Sequence, residues 1–194
     1  VVDNTGMSST KEGLEKHLKY KEVKKVLFTA PVNKELKNIV YGVNHDEIDD
    51  KDKIIGAASC TTNAIVPVLS AVDNEFEIDN GHVETIHSYT NDQNLIDNYH
   101  RKSRRGRAAA LNMVITETGA ANAVSQILPN LEGKLSANAI RVPTPNVSLA
   151  ILSLYLKTPS DQEKFVEILK QTAFHSLLKD QIDFTQSAEV VSSD

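Results

Sequence analysis

Apolar residues come in short runs over the first sixty positions, each closed by turn chemistry. Val1 to Asp3 read as the end of a strand, with Asn4-Thr5-Gly6 as the turn behind it. Ser8-Ser9-Thr10 precede Leu14 and Leu18, a pattern that predicts a capped helix over 11–18. Val26-Leu27-Phe28 predicts a short buried strand within 23–30, ended by Pro31. Residues 39–43 and 54–58 are two more strand candidates. Strand, helix and strand in this order imply part of a parallel α/β sheet.

The pattern changes after Ser59. Thr61-Thr62-Asn63 lead into Ala64-Ile65-Val66-Pro67-Val68-Leu69, read as a helix in which Pro67 falls in the first turn or marks a kink. Val83, Thr85 and Ile86 predict a strand over 81–89. Residues 91–112 show no clean period and are rich in Asn, Asp, Arg and Gly, which predicts a long ordered loop. Such a loop in a compact domain is usually functional. Residues 119–128 predict a helix stopped by Pro129, and 139–142 and 147–156 predict long strands of an antiparallel type. Ser160 is the expected cap of a helix running to about 178, with Phe165, Ile168, Leu169 and Thr172 at helical spacing. The expected class is α/β followed by α+β, with the boundary near Cys60.

Composition narrows the function classes. The chain has 194 residues, 40% hydrophobic and 24% charged, with a net charge of −5 spread along it. That balance does not favour nucleic acid or a membrane surface as the main partner. The local exception is the basic cluster Arg101, Lys102, Arg104, Arg105 and Arg107. One cysteine allows no intrachain disulfide, and no signal peptide is visible, so a reducing, cytoplasmic setting is expected. The chain opens on Val1-Val2-Asp3 without an initiator methionine and closes on Val190-Val191-Ser192-Ser193-Asp194. Both ends read like strand interiors or edges, and a fragment of a longer protein is expected.

A lone cysteine is more often buried and inert than reactive. Cys60, however, follows an apolar strand candidate, stands where a helix should begin, and has Ser59, Thr61, Thr62 and Asn63 around it. A helix N-terminus stabilises a thiolate, and its unbonded N–H groups can hold an oxyanion. A thiolate nucleophile needs a base. Of six histidines, His87 is the best placed, at the end of a predicted strand and before the polar loop. No histidine or cysteine spacing suggests a metal site.

Five motifs add a resemblance. Ala58-Ser59-Cys60-Thr61-Thr62-Asn63 matches the active-site signature of phosphorylating glyceraldehyde-3-phosphate dehydrogenases. Residues Thr85-Ile86-His87-Ser88-Tyr89-Thr90-Asn91-Asp92-Gln93 resemble the family's histidine strand. Arg104-Arg105-Gly106-Arg107-Ala108-Ala109 resembles its S-loop, which would span about 92–112. Thr118-Gly119-Ala120-Ala121 resembles its phosphate loop, and Arg141-Val142-Pro143-Thr144-Pro145-Asn146-Val147 its arginine motif.

The resemblance implies a partial Rossmann-like parallel sheet, then a catalytic domain with a mostly antiparallel mixed sheet covered by helices. Residues 1–59 would be the second, incomplete part of an NAD-binding domain, and 60–194 the catalytic domain. Cys60 would attack the aldehyde of D-glyceraldehyde 3-phosphate, with His87 as base. Thr90, Asp92 and Arg141 would hold the substrate phosphate. Ser59, Thr61, Thr118, Gly119 and Arg105 would hold inorganic phosphate. Thr5, Gly6, Thr29, Asn98 and Tyr99 would touch NAD. A homotetramer is implied for the full-length chain.

The resemblance also has gaps. The G-x-G-x-x-G fingerprint is absent, and the family's C-terminal helix would lie beyond Asp194, so the isolated chain is expected to bind NAD poorly and turn over little. Asn98-Tyr99 stand where many NAD-specific members have Leu-Pro, which keeps NADP as an alternative. Erythrose-4-phosphate dehydrogenase is the nearest rival, and Thr90 and Pro145 favour glyceraldehyde 3-phosphate over it. A non-catalytic scaffold retaining the fold is the rival from another class, and the intact motifs argue against it.

Overall fold

The computed structural model describes residues 1–192. The chain forms two compact units that do not follow chain order. One comprises Val1–Glu77, Asn122–Glu132 and Thr158–Phe184; the other comprises Ile78–Ala121, Gly133–Lys157 and the segment from Thr185 on.

The first unit is built on a four-stranded parallel sheet. Its strands are β1 (Val2–Asp3), β2 (Val26–Phe28), β3 (Lys37–Asn38) and β4 (Ile54–Gly56), in the order β1-β2-β4-β3. Between β1 and β2 runs α1 (Lys11–Glu15), continued by a 3-10 turn. Thr10 caps α1 by accepting from the Gly13 N–H, as the Ser-Ser-Thr signal predicts. Leu14, Val26, Phe28, Val32 and Ile54 form the core. The strand expected over 39–43 is not there. Ile39 still donates to the Gly56 carbonyl, but the Asn44 side chain then takes the Val40 N–H, and the backbone turns. An asparagine side chain that competes for backbone donors ends the ladder.

Helix α2 (Cys60–Phe76) follows β4 directly, and Ser59 caps it by accepting from the Thr62 N–H at 3.1 Å. Ile65, Val66, Leu69, Val72 and Phe76 are buried along it. Pro67 lies inside the helix, past the first turn, where one ladder bond is lost. Its ring is buried, and that apolar burial offsets the missing bond. The Phe76 ring stacks on Phe165 of α4 (Gln162–His175), with centroids 5.7 Å apart. Helix α4 is capped by Asp161, not Ser160: the carboxylate accepts from Lys164 N–H at 2.8 Å. An ionised cap also interacts favourably with the helix dipole. The helix ends at His175, short of the expected 178.

The second unit holds a mixed sheet of β5 (Ile78–Ser88), β6 (Val114–Thr116), β7 (Leu135–Val142) and β8 (Leu149–Leu156), in the order β6-β7-β5-β8. Strands β7 and β8 do not pair with each other. They flank β5, β7 in parallel and β8 antiparallel. β6 pairs antiparallel with β7; the sequence reading placed no strand there, although Val114-Ile115-Thr116 are all β-branched. The helix expected over 119–128 is α3 (Ala120–Ser125), which passes into the first unit at Asn122 and is followed there by a 3-10 turn at Pro129–Leu131. Val190 and Val191 belong to no strand, and Ser193 and Asp194 lie outside the described residues.

Register gives the mixed sheet two unlike faces. One row crosses all four strands as Ile115, Ile140, Ile86 and Leu149. Ile115 and Leu149 are exposed, as are Ile151 and Tyr155 further along β8 on the same face. Val83, Thr85 and His87 stand on the opposite face and are buried.

Candidate active site

Five residues gather near the C-terminal ends of β1 and β2. The Asp3 carboxylate accepts from the Thr5 N–H at 2.9 Å, the Thr5 hydroxyl at 2.8 Å and His17 Nε2 at 2.8 Å. These bonds, the Thr5 backbone donor first, lower the Asp3 pKa to about 2. Thr29 N–H bonds to the Asp3 carbonyl at 3.0 Å. Gly6 sits at φ 67, a left-handed conformation that glycine adopts without strain, and space is open where a Cβ would stand. The ends of parallel strands are where open α/β sheets bind ligands. Thr5, Gly6 and Thr29 stand near the ends of these strands, and the Thr5 hydroxyl is taken by Asp3.

At the end of β4 the chain turns sharply into α2. Ala58 is buried at φ 58, Ser59 returns to an extended φ of −93°, and Cys60 is the first helical residue, exposed to solvent. Ser59 Oγ lies 2.7 Å from Thr62 Oγ1. Asn63 Nδ2 donates to the carbonyls of Ala57 at 2.7 Å and Ser59 at 2.9 Å. Ser59 thus works as a helix cap, while Thr61 is half-buried beside the cysteine.

In the second unit the chemistry gathers at the end of β5. His87 is buried, and its Nδ1 lies 2.6 Å from the Ser88 carbonyl oxygen. A carbonyl can only accept, so Nδ1 carries a hydrogen, and the neutral form of this tautomer has its lone pair on Nε2. Arg141, the register partner of His87 on β7, donates Nη1 to the same carbonyl at 3.1 Å and to Thr90 Oγ1 at 3.1 Å. Arg105 is buried, ion-paired to Asp92, and donates Nε to Thr116 Oγ1 at 3.0 Å. Asp92 thereby fixes Arg105. Thr118 Oγ1 accepts from the Ala120 N–H at 3.2 Å, and Gly119 has open space above it.

The loop over 91–112 is tied to itself. Asn98 N–H bonds to the Gly106 carbonyl at 2.9 Å, and Asp97 accepts from Ala108 N–H at 2.8 Å and Arg107 Nε at 3.1 Å. The Ala108 amide, then Arg107, lower the Asp97 pKa below the ordinary carboxylate value. Gly106 is needed because any Cβ there would collide with the Asn98 carbonyl. Tyr99 is 88% exposed. A cavity of about 540 Å³ opens beside the loop, lined by Tyr89, Thr90, Gln93, Asn98 and Pro145 among others. Ser88, Thr116 and Asn63 were not among the expected site residues. Ser88 acts through a backbone carbonyl, which no residue type announces. Among the described residues no group of three or more His, Cys, Asp or Glu is placed to hold a metal ion.

Residues 59–194 match the family model "Glyceraldehyde 3-phosphate dehydrogenase, C-terminal domain". The chain belongs to this family. It is 62% identical over 194 residues to a glyceraldehyde-3-phosphate dehydrogenase-like protein of Pseudomonas aeruginosa, covering 100% of this chain and 42% of that protein. It is 46% identical over 178 residues to glyceraldehyde-3-phosphate dehydrogenase 2 of Bacillus subtilis, covering 91% of this chain and 52% of the relative. With glyceraldehyde-3-phosphate dehydrogenase 2 of Trichormus variabilis it shares 43% over 195 residues, 100% of this chain and 57% of the relative. The chain thus spans about half the length of the curated relatives it matches. The α/β architecture agrees with membership of this glyceraldehyde-3-phosphate dehydrogenase family of oxidoreductases.

Proposed function

We propose that the protein oxidises and phosphorylates D-glyceraldehyde 3-phosphate to 1,3-bisphosphoglycerate, with Cys60 as nucleophile and His87 as base. The observation that carries this is the exposed thiol at the first position of a helix whose N-terminus is capped by Ser59. There the helix dipole favours a thiolate. His87 Nε2 takes the Cys60 thiol proton, the thiolate Sγ attacks the aldehyde carbon, and the imidazolium returns that proton to the alkoxide oxygen to give a thiohemiacetal. His87, with its lone pair on Nε2, takes the hydroxyl proton as the carbon is oxidised to a thioester. Bound NAD supplies the hydride acceptor. Phosphate then attacks the thioester carbon, and the sulfur leaves as the thiolate it was at the start.

The phosphate roles rest on donor chemistry. Arg141 and Thr90, already hydrogen-bonded to each other, offer a guanidinium and a hydroxyl to the substrate phosphate. Arg105, Thr118 and Gly119 with Ser59 and Thr61 are assigned to inorganic phosphate, and Asp92 to holding Arg105. Thr5, Gly6 and Thr29 suit NAD because they crown the C-terminal ends of parallel strands. Asn98 and Tyr99 are the S-loop residues assigned to it, and NADP remains the alternative. We assign 1–59 to the cofactor domain and 60–194 to the catalytic domain, the latter nearly coextensive with the family match at 59–194. The exposed isoleucine face of the mixed sheet supports assembly of the full-length protein as a homotetramer. The cytoplasm is the proposed location.

The test is kinetic, in the full-length enzyme. Cys60→Ser should abolish dehydrogenase activity, and His87→Asn should lower kcat by about 10²–10⁴. Activity retained by Cys60→Ser would end the proposal.

A further inference from the structure

We propose that Asn63 is a positioning residue that clamps Ala58 in its left-handed conformation and so sets where β4 hands the chain to α2 and where Cys60 stands. The inference rests on the reading of Cys60 as nucleophile.

Ala58 is buried at φ 58, a region that an alanine rarely adopts because its Cβ crowds the backbone. Such a conformation persists only where its surroundings over-determine it. Upstream, the Ala57 N–H is bonded to the Phe28 carbonyl at 2.8 Å, which ties the end of β4 to β2. Downstream, Ser59 is held through its Oγ by the Thr62 N–H. Asn63 joins the two sides. One carboxamide nitrogen donates to both Ala57 and Ser59 carbonyls, and the Asn63 backbone N–H adds a second bond to Ser59 at 2.9 Å. Only a side chain with two hydrogens on one atom can bridge both carbonyls this way. The bridge spans the strained residue and reaches no other element. Its energy therefore goes into the angle of the turn, and Cys60 is the second residue past the bend.

The experiment follows Cys60 alkylation by iodoacetamide against pH in the full-length protein, compared for wild type, Asn63→Ala and the double variant Ala58→Gly/Asn63→Ala. Circular dichroism well below the melting temperature confirms that each is folded. Asn63→Ala should raise the midpoint of the profile and slow the reaction at neutral pH by about tenfold, as the thiol leaves its aligned place at the helix end. Glycine adopts a positive φ without strain, so the double variant should regain most of the lost rate. A residue that merely stabilised the fold would lower the melting temperature without moving the midpoint. An Asn63→Ala profile identical to wild type, or a slowed one that the glycine does not restore, would overturn the inference. A wild-type midpoint near the ordinary thiol value of about 8.5 would instead retire the nucleophile reading and this inference with it. The wild-type curve alone gives that result, so the two failures are distinguishable.

Discussion

His87 and Arg141 use one acceptor, the carbonyl of Ser88, and that shared atom links two roles. It fixes the imidazole tautomer and anchors the guanidinium beside Thr90. The sequence named His87, Thr90 and Arg141 through their motifs, yet the atom that organises them is main chain and invisible at that level. Asp3 was likewise passed over as the tail of a strand. Folding holds its carboxyl at about 2 against an ordinary 3.8, so the ionised form is the one that folding favours. The stability it contributes is complete above pH 3.8 and is lost as the pH falls toward 2. Asp3→Asn cannot titrate there. The stability gap between wild type and Asp3→Asn, measured by urea denaturation, should be constant above pH 5 or so and narrow as the medium is acidified below about 4.

At the scale of elements, α2 does most to join sequence to function. Its first residue is the cysteine, and its last, Phe76, is fully buried against Phe165. Phe76→Ala should destabilise the protein by about 3–5 kcal/mol in chemical denaturation, since the cavity left behind adds to the lost transfer energy. Long periodic segments such as α2, β5 and α4 were legible because an apolar stripe survives over many residues. Short elements were not. The expected strand over 39–43 failed because Asn44 reaches back with its side chain, and β6 was missed because three residues carry too little pattern. Pairing was also out of reach. Nothing in the periodicity of β7 and β8 says that both lie beside β5, one in each direction.

For the whole molecule, the row Ile115, Ile140, Ile86 and Leu149 presents apolar surface on a sheet face where solvent would normally select polar side chains. Assembly would remove that surface from water. Ile151 stands on the same face and is 47% exposed, and Ile151→Asp places a charge there. Sedimentation of the full-length protein should show the variant shifted to smaller species at concentrations where wild type forms the proposed tetramer. A variant that sediments as wild type would remove this face from the assembly.

The parallel pairing of His87 with Arg141 carries a consequence for how this chain can change in length. Side chains alternate between faces, so deleting one residue from either strand upstream of the pair would send imidazole and guanidinium to opposite sides. Deleting two would restore the side but displace one group along the sheet by about 6–7 Å, out of reach of a shared carbonyl. Natural or engineered indels should therefore gather in the loop over 91–112 and at the strand ends, and the stretch from Gly81 to Ser88 should tolerate none.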